Sequence, residues 1–148
     1  MKKEKTEPRR LLPPFLKRFC RIDSFERVTL RISGMRHVIC IEITEKENMA
    51  EVSEYTPQFS GGQETRTLKR RVECSKEEIL KLLNRSKLLA WDGFSGKHPR
   101  HVLDGTMFRL DAVVNGGTTV HANGSQNFPR HYHDLTDELE KILERKPL

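Results

Sequence analysis

The sequence predicts an α+β fold, an antiparallel sheet in the order ββββ-α-ββ-α with two amphipathic helices packed on one face. Three observations lead there. Short stretches alternate apolar and polar side chains residue by residue, as half-buried strands do, and Gly-containing turns too short for a crossover join them. Two longer stretches repeat apolar residues at three- and four-residue spacing, as helices do. The helical stretches follow groups of strands instead of alternating with them one by one, which separates this pattern from βαβ folds.

A chain of 148 residues can bury one core, so a single domain is expected. Hydrophobic content is modest at 35%, but its regular spacing argues for a folded chain. The formal charge of +6 is unevenly placed. Residues 1–21 hold eight Lys and Arg against two Glu, so the excess lies there and the remainder is balanced. The expected organisation is a basic, Pro-containing arm over residues 1–21 and one α+β domain over 22–148.

The elements follow in order. Residues 25–32 place Val28, Leu30 and Ile32 on one face and Arg27, Thr29 and Arg31 on the other. Ser33-Gly34 breaks the run, and residues 37–44 form a second strand with Ile39, Ile41 and Ile43 aligned. Val38 and Cys40 fall on its opposite face, so that strand is expected to be covered on both sides. His37 beside it is expected to be structural. A third strand over 50–56 presents Val52 and Tyr55. Residues 57–63, with Gly61-Gly62, read as a loop, and 66–74 as a fourth strand with Leu68, Val72 and Cys74 on one face. Ser75-Lys76-Glu77-Glu78 has the form of a capping box, with Glu three residues after a Ser N-cap. It opens a helix over 76–88 whose apolar face is Ile79, Leu82 and Leu83.

After a loop over 91–106, residues 107–114 alternate Phe108, Leu110, Ala112 and Val114 against Arg109, Asp111 and Val113. Asn115-Gly116-Gly117 signals a tight turn into 118–122, with Val120 inward. The closing helix is expected from Pro129 or Arg130 to Glu144, with Pro129 in the first turn, where its missing N–H costs nothing. Leu135, Leu139, Ile142 and Leu143 form its apolar face, with Tyr132 one turn earlier.

Several function classes are excluded by pattern. Cys20, Cys40 and Cys74 are widely spaced and form no CxxC, so neither a zinc site nor a disulfide framework is expected. No P-loop, G-x-G-x-x-G, H-E-x-x-H or G-x-S-x-G occurs. His98, His101, His121, His131 and His133 crowd the C-terminal third. His131 and His133, however, would point about 200° apart on a helix, so no metal and no cofactor is expected. The apolar patch behind Met1-Lys2-Lys3 is short and broken by Pro13 and Pro14, and no run approaches the roughly 20 apolar residues of a membrane span. A cytoplasmic protein without membrane contact is the expectation.

The densest special-geometry stretch runs from Trp91 to Pro129 and holds the single Trp and six of the nine Gly. Candidate ligand-binding residues there and just beyond are Trp91, Asp104, Ser125, Asn127, His121 and His131. Each also has a purely structural explanation. Trp91 and Phe94 can anchor a loop, Asp92-Gly93 and Asp104-Gly105 are turn signals, and Ser125 or Asn127 can cap the last helix. The cluster Arg66, Lys69, Arg70 and Arg71 could meet phosphates, or could pair across strands with Glu51, Glu54, Glu64 and Glu73.

The segment Trp91-Asp92-Gly93-Phe94, Leu103-Asp104-Gly105, Phe108-Arg109-Leu110 and Gly124-Ser125-Gln126-Asn127-Phe128-Pro129 resembles a family of small uncharacterised bacterial α+β domains. These carry a W-x-G, D-G, G-S-N-x-x-P-like signature before a terminal amphipathic helix. The resemblance covers about residues 75–144, and Gln126 stands where the pattern has Asn. It implies no activity. Relatives in that family are often lipoprotein-like, and no export signal is recognised here.

Three functions remain open. The first is a non-enzymatic cytoplasmic binding domain for a protein or small ligand. The second is a nucleic-acid-associated protein that uses Lys2, Lys3, Lys5, Arg9, Arg10, Lys17 and Arg18 of the arm, with or without the 66–71 strand. The third is a hydrolase-type enzyme in which His121 or His131 works with Asp104 or Asp111.

Overall fold

A computed structural model describes residues 21–35, 37–103 and 105–145. Four strands form a meander: β1 (Phe25–Ser33), β2 (Val38–Lys46), β3 (Met49–Ser60) and β4 (Gln63–Ser75). Helix α1 (Lys76–Arg85) follows, then a 3₁₀ turn (Leu88–Trp91) and a two-residue strand β5 (Ser95–Gly96). Strands β6 (Met107–Val114) and β7 (Thr118–Ser125) precede helix α2 (Tyr132–Leu143). One seven-stranded sheet results, in the order β4-β3-β2-β1-β6-β7-β5, antiparallel throughout except for the parallel β5–β7 pair.

The α+β class, a mostly antiparallel sheet with two helices, stands, but the order ββββ-α-ββ-α omits β5 and its parallel pairing. That strand was not legible because two residues, one of them Gly, carry no alternation. It exists because the chain after the 3₁₀ turn is pulled alongside β7.

The periodicity explains the core. Val28, Leu30, Ile41, Ile43, Val52 and Val72 face the helices, and Ile79, Leu82, Leu83, Leu135, Leu139, Ile142 and Leu143 close over them. Burying each such side chain stabilises by about 1.5–3 kcal/mol. Two ionic ties fasten the helices. Arg70 on β4 bonds Glu54 on β3 (2.5 Å) and Glu140 on α2 (2.9 Å), and Arg145 after α2 pairs with Glu78 on α1. These guanidinium contacts hold the Glu140 and Glu78 carboxyls below the ordinary carboxylate range.

The meander departs from expectation in its last hairpin. β3 and β4 continue through the stretch expected to be a loop, and only Gly61-Gly62 turns, with φ 59 and 82. A bulge pairs Glu54 with Arg70 but Tyr55 with Leu68, leaving Lys69 extra. Leu68 therefore leaves the face of Val72 and Cys74 for that of Tyr55, where it is 43% exposed. Arg31 on β1 reaches Glu64 on β4 (3.3 Å) across two intervening strands.

Both helix boundaries shift. Ser75 caps α1 by accepting from the Glu78 N–H (3.1 Å), but the Glu78 carboxylate goes to Arg145 instead of back to Ser75, so half of the capping box forms. α1 ends at Arg85, because Lys87 turns left-handed (φ 55) and lets Leu88, Leu89 and Trp91 bury in the 3₁₀ turn. α2 starts at Tyr132, three residues after Pro129, whose carbonyl accepts the Tyr132 N–H (3.1 Å). Its N-cap is a left-handed His131 (φ 69) with no side-chain cap bond.

Candidate functional site

Two segments distant in sequence are sewn together residue by residue. Asp92 accepts the His121 N–H (2.9 Å), the Gly93 N–H donates to the His121 carbonyl (2.9 Å), and the Asn123 N–H donates to the Phe94 carbonyl (3.0 Å). These bonds lay residues 92–96 beside β7. Gly96 then pairs with Gly124, and neither has room for a side chain. A Cβ on Gly96 would stand 2.6 Å from the Asn127 carbonyl oxygen, and one on Gly124 would meet that oxygen and the Phe108 ring. Gln126, left-handed at φ 50, exchanges two bonds with the Thr106 backbone: its N–H donates to the carbonyl (2.7 Å) and its side-chain oxygen accepts the N–H (2.8 Å). Asn127 donates to the Lys97 carbonyl (3.2 Å). The 91–106 loop and the 124–129 segment thus converge.

Where they meet α2, a cleft of about 420 Å³ opens, lined by Lys87, Ala90, Trp91, Phe94, Pro129, Arg130 and His131. Trp91 forms its rigid wall. The ring is 2% exposed, its Nε1–H donates to the Ser86 carbonyl (3.0 Å), and it meets Phe108 edge-on at 6.3 Å and Tyr132 at 6.0 Å. Tyr132 in turn stacks on Phe128 at 4.5 Å, and burial pushes its hydroxyl pKa up to about 12. The mouth is cationic. His131 Nδ1 bonds Asp134 (2.8 Å), while Lys87 and Arg130 join no ion pair among the described residues. Lys87 and His131 are both non-glycine residues in left-handed backbone, each strained by about 1–3 kcal/mol.

The remaining candidates do not gather here. His121 stands on the outer face of the sheet, bonded to Asp111 (2.6 Å), which also holds Arg109 (3.0 Å). His121 and His131 therefore sit in separate places with separate carboxylate partners. Ser125 and Asn127 do not cap α2. The Ser125 hydroxyl meets His98 Nδ1 (2.8 Å), whose other nitrogen bonds the Val102 carbonyl. A carbonyl only accepts, so His98 Nε2 carries the proton and Nδ1 accepts from Ser125. That arrangement polarises a hydroxyl toward a base, and it also pins the 97–106 loop. Ser125 borders a second hollow of about 290 Å³ with Arg31, Ser33, Arg109 and Asn123 on its lining.

Asp104 and the arm residues Lys2, Lys3, Lys5, Arg9, Arg10, Lys17 and Arg18 lie outside the described residues, as does Cys20. Among the described residues no three His, Cys, Asp or Glu side chains gather as metal ligands, and no helix is long and apolar enough to cross a membrane. Of the basic cluster on β4, Arg66 pairs with Glu42 (3.0 Å), Arg70 with Glu54 and Glu140, and Arg71 with Glu51 (3.5 Å). Those guanidinium groups are already engaged by carboxylates.

Sequence reasoning missed Lys87, Ala90 and Arg130. The only local signal was position: Lys87 follows the amphipathic face of α1, and Arg130 precedes that of α2. The chain matches no protein-family model, no curated protein and no solved structure.

Proposed function

We propose that the protein is a cytoplasmic, non-enzymatic binding domain for a small ligand, with the Trp91 cleft as its site. One observation carries this reading: the 91–106 loop and the 124–129 segment, joined by backbone bonds, close on a concave space instead of packing flat. Its volume lies within the roughly 300–1,000 Å³ of small-molecule sites. Its lining has their usual composition, apolar rings and a few polar groups at the mouth.

Ala90 is exposed and lines the cleft, so Ala90→Phe fills it without disturbing the buried Leu88, Leu89 and Trp91. Ligand-observed NMR with a mixture of small aromatic and aliphatic compounds should detect binders of the native protein, and Ala90→Phe should abolish their signals. Binders that persist unchanged in the filled variant would place the site elsewhere, and an absence of binders would remove the proposal.

A further inference from the structure

We infer that the cleft takes a small amphipathic monoanion, a carboxylate carried on an aryl or alkyl body. The inference rests on the reading of the cleft as a ligand site and adds the chemistry of its occupant. Ala90 and Phe94, backed by the buried Trp91 and Pro129, offer apolar surface to the body of a ligand. Among the described residues the charged side chains on the lining are Lys87, Arg130 and His131, and no carboxylate lines the space.

Charge pairing elsewhere sharpens the point. Arg31, Lys46, Arg66, Arg70, Arg71, Lys76, Arg109 and Arg145 all have a carboxylate within 4 Å. Lys87 and Arg130 have none among the described residues, yet they share one concavity. Other cations outside ion pairs, such as Lys69 and Lys81, line neither this cleft nor the hollow beside Ser125. A ligand carboxylate would supply the missing partner.

The choice of a carboxylate over a phosphate comes from the same residues. One planar guanidinium, Arg130, can hold either anion in two parallel hydrogen bonds, so the choice rests on charge. Asp134, held against His131 Nδ1 at 2.8 Å, already sets one negative charge beside a lining residue and opposes a dianion more than a monoanion. That contact also assigns the His131 proton: a carboxylate accepts, so Nδ1 carries the hydrogen and Nε2 is the other nitrogen.

Trp91 is the single tryptophan, so its fluorescence reports the wall directly. The full chain is titrated at pH 7 and low salt with phenylacetate, its neutral amide phenylacetamide, the cation phenethylamine and benzyl phosphate. Phenylacetate should saturate and bind at least about tenfold more tightly than the amide, the difference expected of one charge-assisted contact. The double variant Lys87→Gln with Arg130→Gln should bring that ratio to about one while leaving the affinity for the amide unchanged. Equal binding of acid and amide would overturn the charge assignment and leave the cleft as a neutral-ligand site. Tighter binding of the amine, or of benzyl phosphate, would overturn the choice of a monoanion. No response to any of the four would overturn both the inference and the site on which it rests.

Discussion

Residues 25–85 and residues 86–131 are built by different means. The first region is regular: alternation places Val28, Leu30, Ile41 and Ile43 inward, a hydroxyl caps α1, and acidic and basic side chains pair across the outer face. The second has a 3₁₀ turn, a two-residue strand and four left-handed non-glycine residues before α2 begins: Lys87, His101, Asn115 and Gln126, with His131 as a fifth at the cap itself. It is held by side chains and backbone groups that reach across tens of residues, as Asp92 does to His121 and Gln126 to Thr106. Periodic order makes a flat, predictable layer. Aperiodic order, held by specific bonds, makes the hollow.

The comparison can be broken most sharply at Trp91. If the irregular region is a true part of the core, Trp91→Ala should cost about 3–5 kcal/mol in urea unfolding, as much as a large core side chain anywhere else. A loss below about 1 kcal/mol would show that the loop is an ornament on an independent sheet.

Two glycines sharpen the contrast next. Gly124→Ala sets a methyl against the Asn127 carbonyl and places it 2.8 Å from the Phe108 ring, and backbone on one side cannot retreat. It should cost about 1–3 kcal/mol or more by overpacking. Gly62→Ala, at the tip of the β3–β4 hairpin, has open space around the new methyl and only a φ of 82 to oppose it. It should cost about 1 kcal/mol, the penalty of a side chain in left-handed backbone. Thermal unfolding of the two variants would decide, and an equal loss would remove crowding as the explanation for Gly124.

The smallest effect concerns the tie between the first region and α2, the helix that follows the second. Arg70 holds the Glu140 carboxyl below its ordinary value, so the folded state binds that proton less readily than the unfolded chain. The contribution is fully present above the unfolded carboxylate range, near pH 4.3, and is lost as pH falls through the lower folded value. Glu140 is 52% exposed, so screening limits the contribution to about 0.5 kcal/mol. Glu140→Gln should flatten the acid limb of stability between about pH 5 and 3 by that amount. An unchanged slope would mean that the Arg70–Glu140 pair adds nothing to the hold on α2.

Much of the fold was legible in the residues. The alternation from Val28 to Ile32 and from Phe108 to Val114 marks strands whose inner faces match the observed core, and Ser75 marks the start of α1. Leu68 shows where such reasoning fails: a bulge is set by the fit of two strands, and nothing local announces that Lys69 is extra. The candidate site was legible only as a place. Trp91 and His131 line the cleft, whereas Ser125, Asn127 and His121 serve other contacts, and Lys87, Ala90 and Arg130 carry no motif at all.

By itself the sequence determined most of the segments that become strands and helices and, Leu68 apart, which of their faces turn inward, because those choices depend on side chains a few residues apart. The tertiary structure alone decided that residues 92–96 lie along β7, that α2 waits until Tyr132 and that Lys87 and Arg130, which join no ion pair among the described residues, share a hollow. Each of those outcomes depends on groups brought together from distant parts of the chain, and no short-range pattern encodes their meeting.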